Sequence, residues 1–413
     1  MGYQLHRLPT RCDGSNGTGG CRTQRAVTPN PRLAPFGTTI FAEMSALAAE
    51  IGAVNLGQGF PDSDGPAEVL DAAVDAIRSG LNQYPPGPGM PVLRSAVADH
   101  QRRFYGVDYD METEVLVTAG ATEAIAGAML GLLQPDDEVI VFEPMYDSYQ
   151  ACIALAGARA VPVTLRPPDY RPDIDRVRAL VGPRTRAILV NSPHNPTGMM
   201  MDEDELGAIA EIAAERGLVI ISDEVYEHLV FDGFRHRSMA EFPGARERTL
   251  VISSGGKTFR TTGWKIGWVC GPSHLVAATR AAKQFLTYVN GAPFQPAIAR
   301  GLGLPDEYFH GIADDLCKRR DELVPALCSV GFEVFPTRST YFVTVDAAPV
   351  IPGMDGREFC RRMAHDAGVV AIPNVVFYSE ANKAAGRSLV RFAFCKRPEV
   401  IAEAVERLQG WKP

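Results

Sequence analysis

Apolar residues recur along the chain in two patterns. A spacing of three and four positions predicts amphipathic helices, most clearly at residues 67–79, 124–133 and 204–215. Short apolar runs predict strands at residues 114–118, 138–142, 160–163, 187–190, 218–222, 249–253 and 266–270. Helices separate most of these runs, and two of the runs are apolar almost throughout, which is typical of strands buried on both faces. The pattern predicts an α/β fold with a mostly parallel sheet between layers of helices.

The chain of 413 residues is longer than one hydrophobic core usually organises, so we expect two domains. From about residue 305 the pattern changes to helix, strands and helix, which predicts a smaller α+β domain. Residues 1–32 are basic, rich in glycine and nearly free of acids. An organelle transit peptide has this composition, but a disordered or extraneous extension explains it more simply.

Composition excludes several classes of function. The net charge of −8 argues against a nucleic-acid surface, which needs concentrated lysine and arginine. No apolar run approaches the roughly 18 residues that span a bilayer. The eight cysteines are scattered without a CxxC pair and no HExxH motif occurs, so we expect reduced thiols, a cytoplasmic location and no metal site.

In an open α/β sheet, ligands bind at the carboxyl ends of the strands. Gly120, Ala121 and Thr122 follow one predicted strand, and such small residues let an anion approach the N-terminus of a helix. Ordinary helix capping is the alternative. Asn195 follows another strand, in a loop that two prolines make rigid, so its amide is held in one direction; a plain turn is the alternative.

Two further strand ends carry ionisable groups. Asp223 comes directly after an apolar strand, where a carboxylate is costly unless it meets a cation or several donors; a helix N-cap is the alternative. Tyr226 can lie on the same side of the following turn. Lys257 lies among small residues after Ser254, where partial desolvation lowers the pKa of an amine and favours its neutral, nucleophilic form. Most lysines are solvated surface charges, so Lys257 alone decides nothing.

These residues together form a specific pattern: 195–198 (Asn-Pro-Thr-Gly), Asp223-x-x-Tyr226, Ser254-x-x-Lys257 and Lys265. The pattern resembles the class I/II aminotransferases, which are pyridoxal-phosphate enzymes of fold type I, over nearly the whole chain from about residue 33. Segments 55–62, 257–259 and 263–268 look most like the group of N-succinyldiaminopimelate aminotransferase, kynurenine aminotransferase and glutamine transaminase K. The resemblance implies an N-terminal arm (33–60) that joins the small domain (305–413), and a large cofactor-binding domain (61–304).

The resemblance also implies a role for each residue toward the cofactor, pyridoxal 5′-phosphate. Lys257 holds it as a Schiff base, and Asp223 pairs with its pyridinium nitrogen. Asn195 and Tyr226 bind its phenolic oxygen, and Tyr146 stacks on the ring. The residues that hold the phosphate are Gly120, Ala121, Thr122, Ser254 and Lys265.

The implied substrate site contains Arg391, which binds the substrate α-carboxylate, together with Gly59 and Asn195. Tyr84 crosses from a second subunit to the phosphate, which implies a homodimer. Asn290 falls near the position where relatives place a residue from the neighbouring subunit that recognises the substrate side chain.

The implied reaction moves an amino group from an amino acid to a 2-oxo acid such as 2-oxoglutarate. Segments 84–87 and 289–294 favour N-succinyldiaminopimelate as the donor, hence lysine biosynthesis. Kynurenine, glutamine or aromatic donors and a cysteine-S-conjugate β-lyase reaction stay open. A nicotinamide dehydrogenase needs a GxGxxG turn, which no strand-to-helix turn here offers. A non-catalytic regulator needs an upstream helix-turn-helix domain, which 32 residues rich in Gly and Pro cannot form.

Overall fold

The computed structural model describes residues 30–37 and 39–413. The predicted N-terminal extension therefore lies almost wholly outside the described residues. The helices are α1 (Ile40–Ile51), α2 (Ala67–Arg78), α3 (Pro91–Tyr105), α4 (Gly120–Leu132), α5 (Asp147–Leu155), α6 (Ile174–Leu180), α7 (Glu203–Arg216), α8 (Gly255–Thr258), α9 (Ser273–Lys283), α10 (Phe294–Leu302), α11 (Asp306–Val330), α12 (Gly356–Asp366) and α13 (Pro398–Gly410). The strands are β1 (Val54–Asn55), β2 (Val115–Thr118), β3 (Glu138–Glu143), β4 (Arg159–Thr164), β5 (Thr185–Asn191), β6 (Val219–Asp223), β7 (Thr249–Ser254), β8 (Gly267–Cys270), β9 (Glu333–Val334), β10 (Phe342–Asp346), β11 (Val369–Val370), β12 (Ile372–Pro373) and β13 (Leu389–Ala393).

The main sheet has seven strands in the order β2-β8-β7-β6-β5-β3-β4. Strands β3 to β7 run parallel to one another, whereas β8 is antiparallel to both β2 and β7. The predicted mostly parallel sheet is confirmed, and each of its seven strands lies within two residues of the predicted bounds. One helix starts earlier than predicted: α4 begins at Gly120 instead of residue 124, because Gly120 has a φ of 73° and turns the chain directly into the helix.

The C-terminal part contains a four-stranded antiparallel sheet in the order β12-β13-β10-β9, with α11, α12 and α13 around it. Its core includes residues from the N-terminal arm: Met44 of α1 and Leu56 beside β1 are buried in the same cluster as Leu323 and Phe392. Strand β1 also pairs with β11. The arm therefore packs with the C-terminal part of the chain. No helix among the described residues is long and apolar enough to cross a membrane.

The sheet register brings polar residues together at one edge. Strands β5, β6 and β7 end at Asn191, Asp223 and Ser254, and Asn191 lies opposite Asp223 in the register. Since these strands are parallel, their carboxyl ends meet on the same side of the sheet. Strand β13 of the C-terminal sheet faces this edge and contributes Arg391.

Candidate active site

One cleft lies between the carboxyl edge of the main sheet and the C-terminal part of the chain. Of the residues predicted from the sequence, it is lined by Gly59, Gly120, Ala121, Thr122, Tyr146, Asn195, Asp223, Tyr226, Ser254, Lys257, Lys265 and Arg391. Tyr84 and Asn290 are not among its lining residues.

Lys257 lies in the single turn of α8, which follows β7 directly. Its Nζ donates a hydrogen bond to the Tyr341 hydroxyl at 2.9 Å. Desolvation in the cleft lowers the pKa of Lys257 to about 8, although the nearby Asp223 carboxylate opposes this change. An amine with this pKa is partly neutral near physiological pH, as a nucleophile or a base must be.

Asp223 is only 4% exposed. One of its carboxylate oxygens accepts a hydrogen bond from the Tyr149 hydroxyl at 2.6 Å, and the other accepts one from the Val225 N–H at 3.3 Å. Burial raises the pKa of Asp223 to about 6 despite these donors. Within the described residues Asp223 has no lysine or arginine at ion-pair distance, so the carboxylate is available to a cationic group of a ligand.

Arg391 is a buried cation, 2% exposed, in β13. Its guanidinium donates to the Asn195 side-chain oxygen and to the Gly57 carbonyl, both at 3.0 Å, and stacks 4.0 Å from the centre of the Phe342 ring. Burial lowers the pKa of Arg391 to about 10, which leaves it charged at neutral pH. No carboxylate lies within 4 Å of it in the described part of the chain, and its Nε is buried without a partner. A buried guanidinium in this state is suited to a carboxylate of a ligand.

The N-terminus of α4 and Lys265 form an anion cradle. A Cβ atom at Gly120 would lie 3.3 Å from the Lys265 Nζ, so the ammonium group lies directly against the first turn of the helix. A Cβ atom at Gly267 would lie 2.6 Å from the Gly120 carbonyl carbon, and only glycine allows this close approach. The helix dipole and the lysine charge both favour an anion here, as a phosphate group requires.

Asn195 connects the loop after β5 to Arg391. Its backbone N–H donates to the Asn191 side chain at 2.9 Å, which fixes the rigid loop, and its amide oxygen accepts from Arg391. The amide NH₂ group is left to donate to a ligand. Tyr226 is buried perpendicular to Tyr341, with ring centres 5.3 Å apart, and burial raises the pKa of Tyr226.

Sequence reasoning missed three residues that act on the predicted ones. Tyr149 binds Asp223, Tyr341 binds Lys257, and Phe342 stacks on Arg391. Tyr149 lies in the first turn of α5, three residues after Tyr146, which is a weak signal that it also faces the cleft. Tyr341 and Phe342 come from the C-terminal part, and no pattern in the sequence indicates which of its strands face the main sheet.

Tyr84 and Asn290 lie outside the cleft of this chain. Tyr84 is 83% exposed, and its ring meets the Tyr288 ring edge to face. The Asn290 side chain donates to the carbonyls of Thr118 and Lys265, at 3.1 and 2.9 Å, and so braces the backbone behind the anion cradle. The roles expected for both residues involve a second subunit and stay predictions.

A second group of titratable residues lies behind the turn that carries Tyr226. His100, Glu227 and His228 bring three possible metal-ligand atoms within 4.8 Å of one another. The two imidazole Nε2 atoms are 2.7 Å apart, whereas two nitrogens on one zinc ion would be about 3.3 Å apart. Burial lowers the pKa of His100 to about 3 and also holds the pKa of His228 well below its usual range, so the pair is neutral and shares a hydrogen bond.

Comparisons with known proteins agree with this geometry. The family model for class I and II aminotransferases matches residues 51–408. A probable N-succinyldiaminopimelate aminotransferase of Mycobacterium tuberculosis is 54% identical over 385 residues, covering 91% of this chain and 97% of that protein. The methionine aminotransferase of Escherichia coli is 39% identical over 387 residues, covering 94% and 99%. The solved structure of N-succinyldiaminopimelate aminotransferase from Mycobacterium tuberculosis superimposes with a TM-score of 0.90 at 54% identity, covering 92% of this chain and 99% of that one.

Proposed function

Because the chain belongs to the class I and II aminotransferases, we propose that its cleft binds pyridoxal 5′-phosphate on Lys257. Family membership confirms the resemblance, the fold type I and the aminotransferase activity predicted from the sequence. The cofactor and its contacts are our proposal. When bound, the cofactor supplies an aldehyde for amines and a ring that takes up the electron pair released at the substrate Cα.

The cleft fits each part of this cofactor. The anion cradle, with Gly120, Ala121 and Thr122 at the N-terminus of α4 and Lys265 against them, suits the phosphate, and Ser254 lines the same cleft. Asp223, a buried carboxylate without an ion pair in the described chain, suits a protonated ring nitrogen. The free NH₂ of Asn195 and the Tyr226 hydroxyl suit the phenolic oxygen, and Tyr146 lies at the cleft to stack on the ring.

Three residues of the chain then have separate roles in transamination. Lys257, with its lowered pKa, takes the proton from the substrate Cα and returns it during the reaction. Asp223 keeps the ring nitrogen protonated, because the buried carboxylate is stabilised by a cation beside it. Arg391 holds the substrate α-carboxylate and so fixes the Cα near Lys257.

The single observation that best supports an amino-acid substrate is the burial of Arg391 in the cleft without a carboxylate partner among the described residues. We infer that the amino donor is N-succinyl-LL-diaminopimelate and the acceptor 2-oxoglutarate, and that the reaction serves lysine biosynthesis. The 54% identity to the mycobacterial protein supports this choice. A donor panel with 2-oxoglutarate tests it: N-succinyl-LL-diaminopimelate should give the highest kcat/KM among it, methionine, kynurenine and glutamine. A higher value for another donor would reassign the substrate, and pyruvate release from cysteine conjugates without amino transfer would indicate a β-lyase.

Replacing Arg391 with lysine should raise the KM for the amino donor by about 10- to 100-fold. Lysine keeps the charge but loses the two-pronged geometry, and a hydrogen bond to a charged group contributes about 1.5–3 kcal/mol. Steady-state kinetics of Arg391→Lys measure this change, with Arg300→Lys on an exposed helical position as the matched control. An unchanged KM would move the carboxylate site elsewhere.

We also propose a homodimer in which Tyr84 reaches the phosphate site of the partner. Tyr84, Phe285, Leu286 and Tyr288 are large apolar residues that are exposed in the single chain, and a second copy is the partner that the expected role of Tyr84 requires. Light scattering during size-exclusion chromatography should give twice the chain mass, and the chain mass alone would contradict it.

A cytoplasmic location stays our proposal, supported by the six free cysteines of the described chain.

A further inference from the structure

We propose that Tyr341 is a positioning residue that holds the Lys257 amine whenever this amine is not bonded to the cofactor. This inference rests on the proposed cofactor site and goes beyond it. Tyr341 comes from the C-terminal part of the chain, directly before β10, whereas Lys257 lies in α8, directly after β7 of the main sheet. Their hydrogen bond therefore connects the two sides of the cleft at the reacting nitrogen.

The Tyr341 hydroxyl is itself fixed from the other side. It donates its proton to the Gly59 carbonyl at 2.6 Å and accepts from the Lys257 Nζ at 2.9 Å. Since a hydroxyl has one proton, the bond to Gly59 leaves only its lone pairs for the lysine. Tyr341 thus acts as an acceptor toward Lys257 and does not compete for the amine lone pair.

This direction of the hydrogen bond matters for proton transfer. A neutral lysine amine has two N–H bonds and one lone pair. When one N–H points to Tyr341, rotation of the amine is restricted and its lone pair is left for the Cα proton. The ring of Tyr341 packs against the rings of Tyr226 and Phe342, with centres 5.3 and 4.7 Å away. This packing holds the Tyr341 hydroxyl in one place relative to the Lys257 amine.

Gly59 is part of the same arrangement. A Cβ atom there would lie 2.5 Å from the Phe342 ring, so the segment that supplies the acceptor carbonyl packs directly against the residue next to Tyr341. Gly59 also lines the cleft. One carbonyl of the N-terminal arm thereby sets the direction of the Tyr341 hydroxyl, and through it the direction of the Lys257 amine.

The variant Tyr341→Phe removes the hydroxyl and keeps the ring that packs on Tyr226, so the chain is expected to fold. The matched control is Tyr170→Phe, because Tyr170 is another buried tyrosine whose hydroxyl has no partner among the described residues and lies in a separate core cluster. Thermal unfolding of both variants shows whether the fold is intact.

The first readout is independent of transamination. In the full chain freed of cofactor, trinitrobenzenesulfonate labels neutral amines, and peptide mass spectrometry follows Lys257 labelling against pH. Loss of the acceptor oxygen destabilises the ammonium form, so the midpoint for Lys257 should shift to lower pH in Tyr341→Phe and stay at the wild-type value in Tyr170→Phe. A lysine midpoint that does not move would overturn the proposal, even if the protein is a fully active aminotransferase.

The second readout uses the cofactor-loaded enzyme. The kcat of Tyr341→Phe should fall by about tenfold, as expected for the loss of one positioning hydrogen bond, while the KM for the amino donor stays within about twofold. A rise in KM with unchanged kcat would place Tyr341 in substrate binding instead. Failure of transamination in the wild-type chain would contradict the proposed function without affecting the labelling result.

Discussion

The variant Lys257→Ala should lose amino transfer almost completely, by on the order of ten-thousandfold or more in kcat. Alanine removes both the group that bonds the cofactor and the base that moves the Cα proton, and no other lysine nitrogen of the described chain donates to the Tyr341 hydroxyl. Lys265, the other lysine of the cleft, lies against the helix N-terminus at the anion cradle. The visible absorbance of the bound cofactor should shift to that of the free aldehyde.

The control for this result is Lys318→Ala, which removes an exposed lysine from α11. It should keep wild-type activity and absorbance. Normal transamination by a folded Lys257→Ala protein would refute the assignment of Lys257 as the cofactor lysine.

The variant Asp223→Asn should lower kcat by about a hundredfold to a thousandfold, with a smaller effect on KM. The carboxylate matters most when the ring accepts electrons, and asparagine cannot keep the ring nitrogen protonated. Steady-state kinetics at saturating cofactor measure this loss, with Asp204→Asn at an exposed position of α7 as the control. An unchanged kcat would remove Asp223 from the mechanism.

The same substitution should stabilise the cofactor-free protein. Burial raises the pKa of Asp223 from 3.8 to about 6, so the folded chain binds this proton more tightly than the unfolded chain. The charged carboxylate therefore destabilises the fold as the pH rises above about 4, and the penalty levels off above about 6, at up to about 3 kcal/mol. Denaturant unfolding of Asp223→Asn should show this gain at about pH 7.5 and none at about pH 3.5. If Asp223→Asn and the wild type differ in stability by the same amount at both pH values, burial of the charged carboxylate does not destabilise the fold.

The main sheet was predictable because its strands are short apolar runs separated by helices, a pattern that the burial of both faces requires. Asn195, Asp223 and Lys257 were predictable for a related reason: each follows a strand, and parallel strands bring their ends together. Each of these residues alone has an ordinary structural explanation, and only the set of them together indicated one family of enzymes. The antiparallel direction of β8 was not predictable, since its sequence is as apolar as those of the parallel strands in the same sheet.

Contacts between segments that are distant along the chain could not be predicted from the sequence. Tyr341 reaches Lys257 across 84 positions of the chain, and Phe342 and Arg391 face the cleft only because β10 and β13 pair in one register. Asn290 shows the same limit at a single side chain. Its amide donates to two backbone carbonyls behind the cradle, a contact that no sequence pattern indicates, and its expected role in a second subunit stays a prediction. Side-chain direction in a loop depends on such packing and leaves no periodic signal.

Borohydride reduction followed by peptide mass spectrometry identifies the lysine that holds the cofactor. Reduction of the enzyme as purified with its cofactor converts the bond between lysine and cofactor into a stable amine. We expect one modified peptide, with the cofactor mass on Lys257. A modification on Lys265, Lys283 or any other lysine, with Lys257 unmodified, would contradict it.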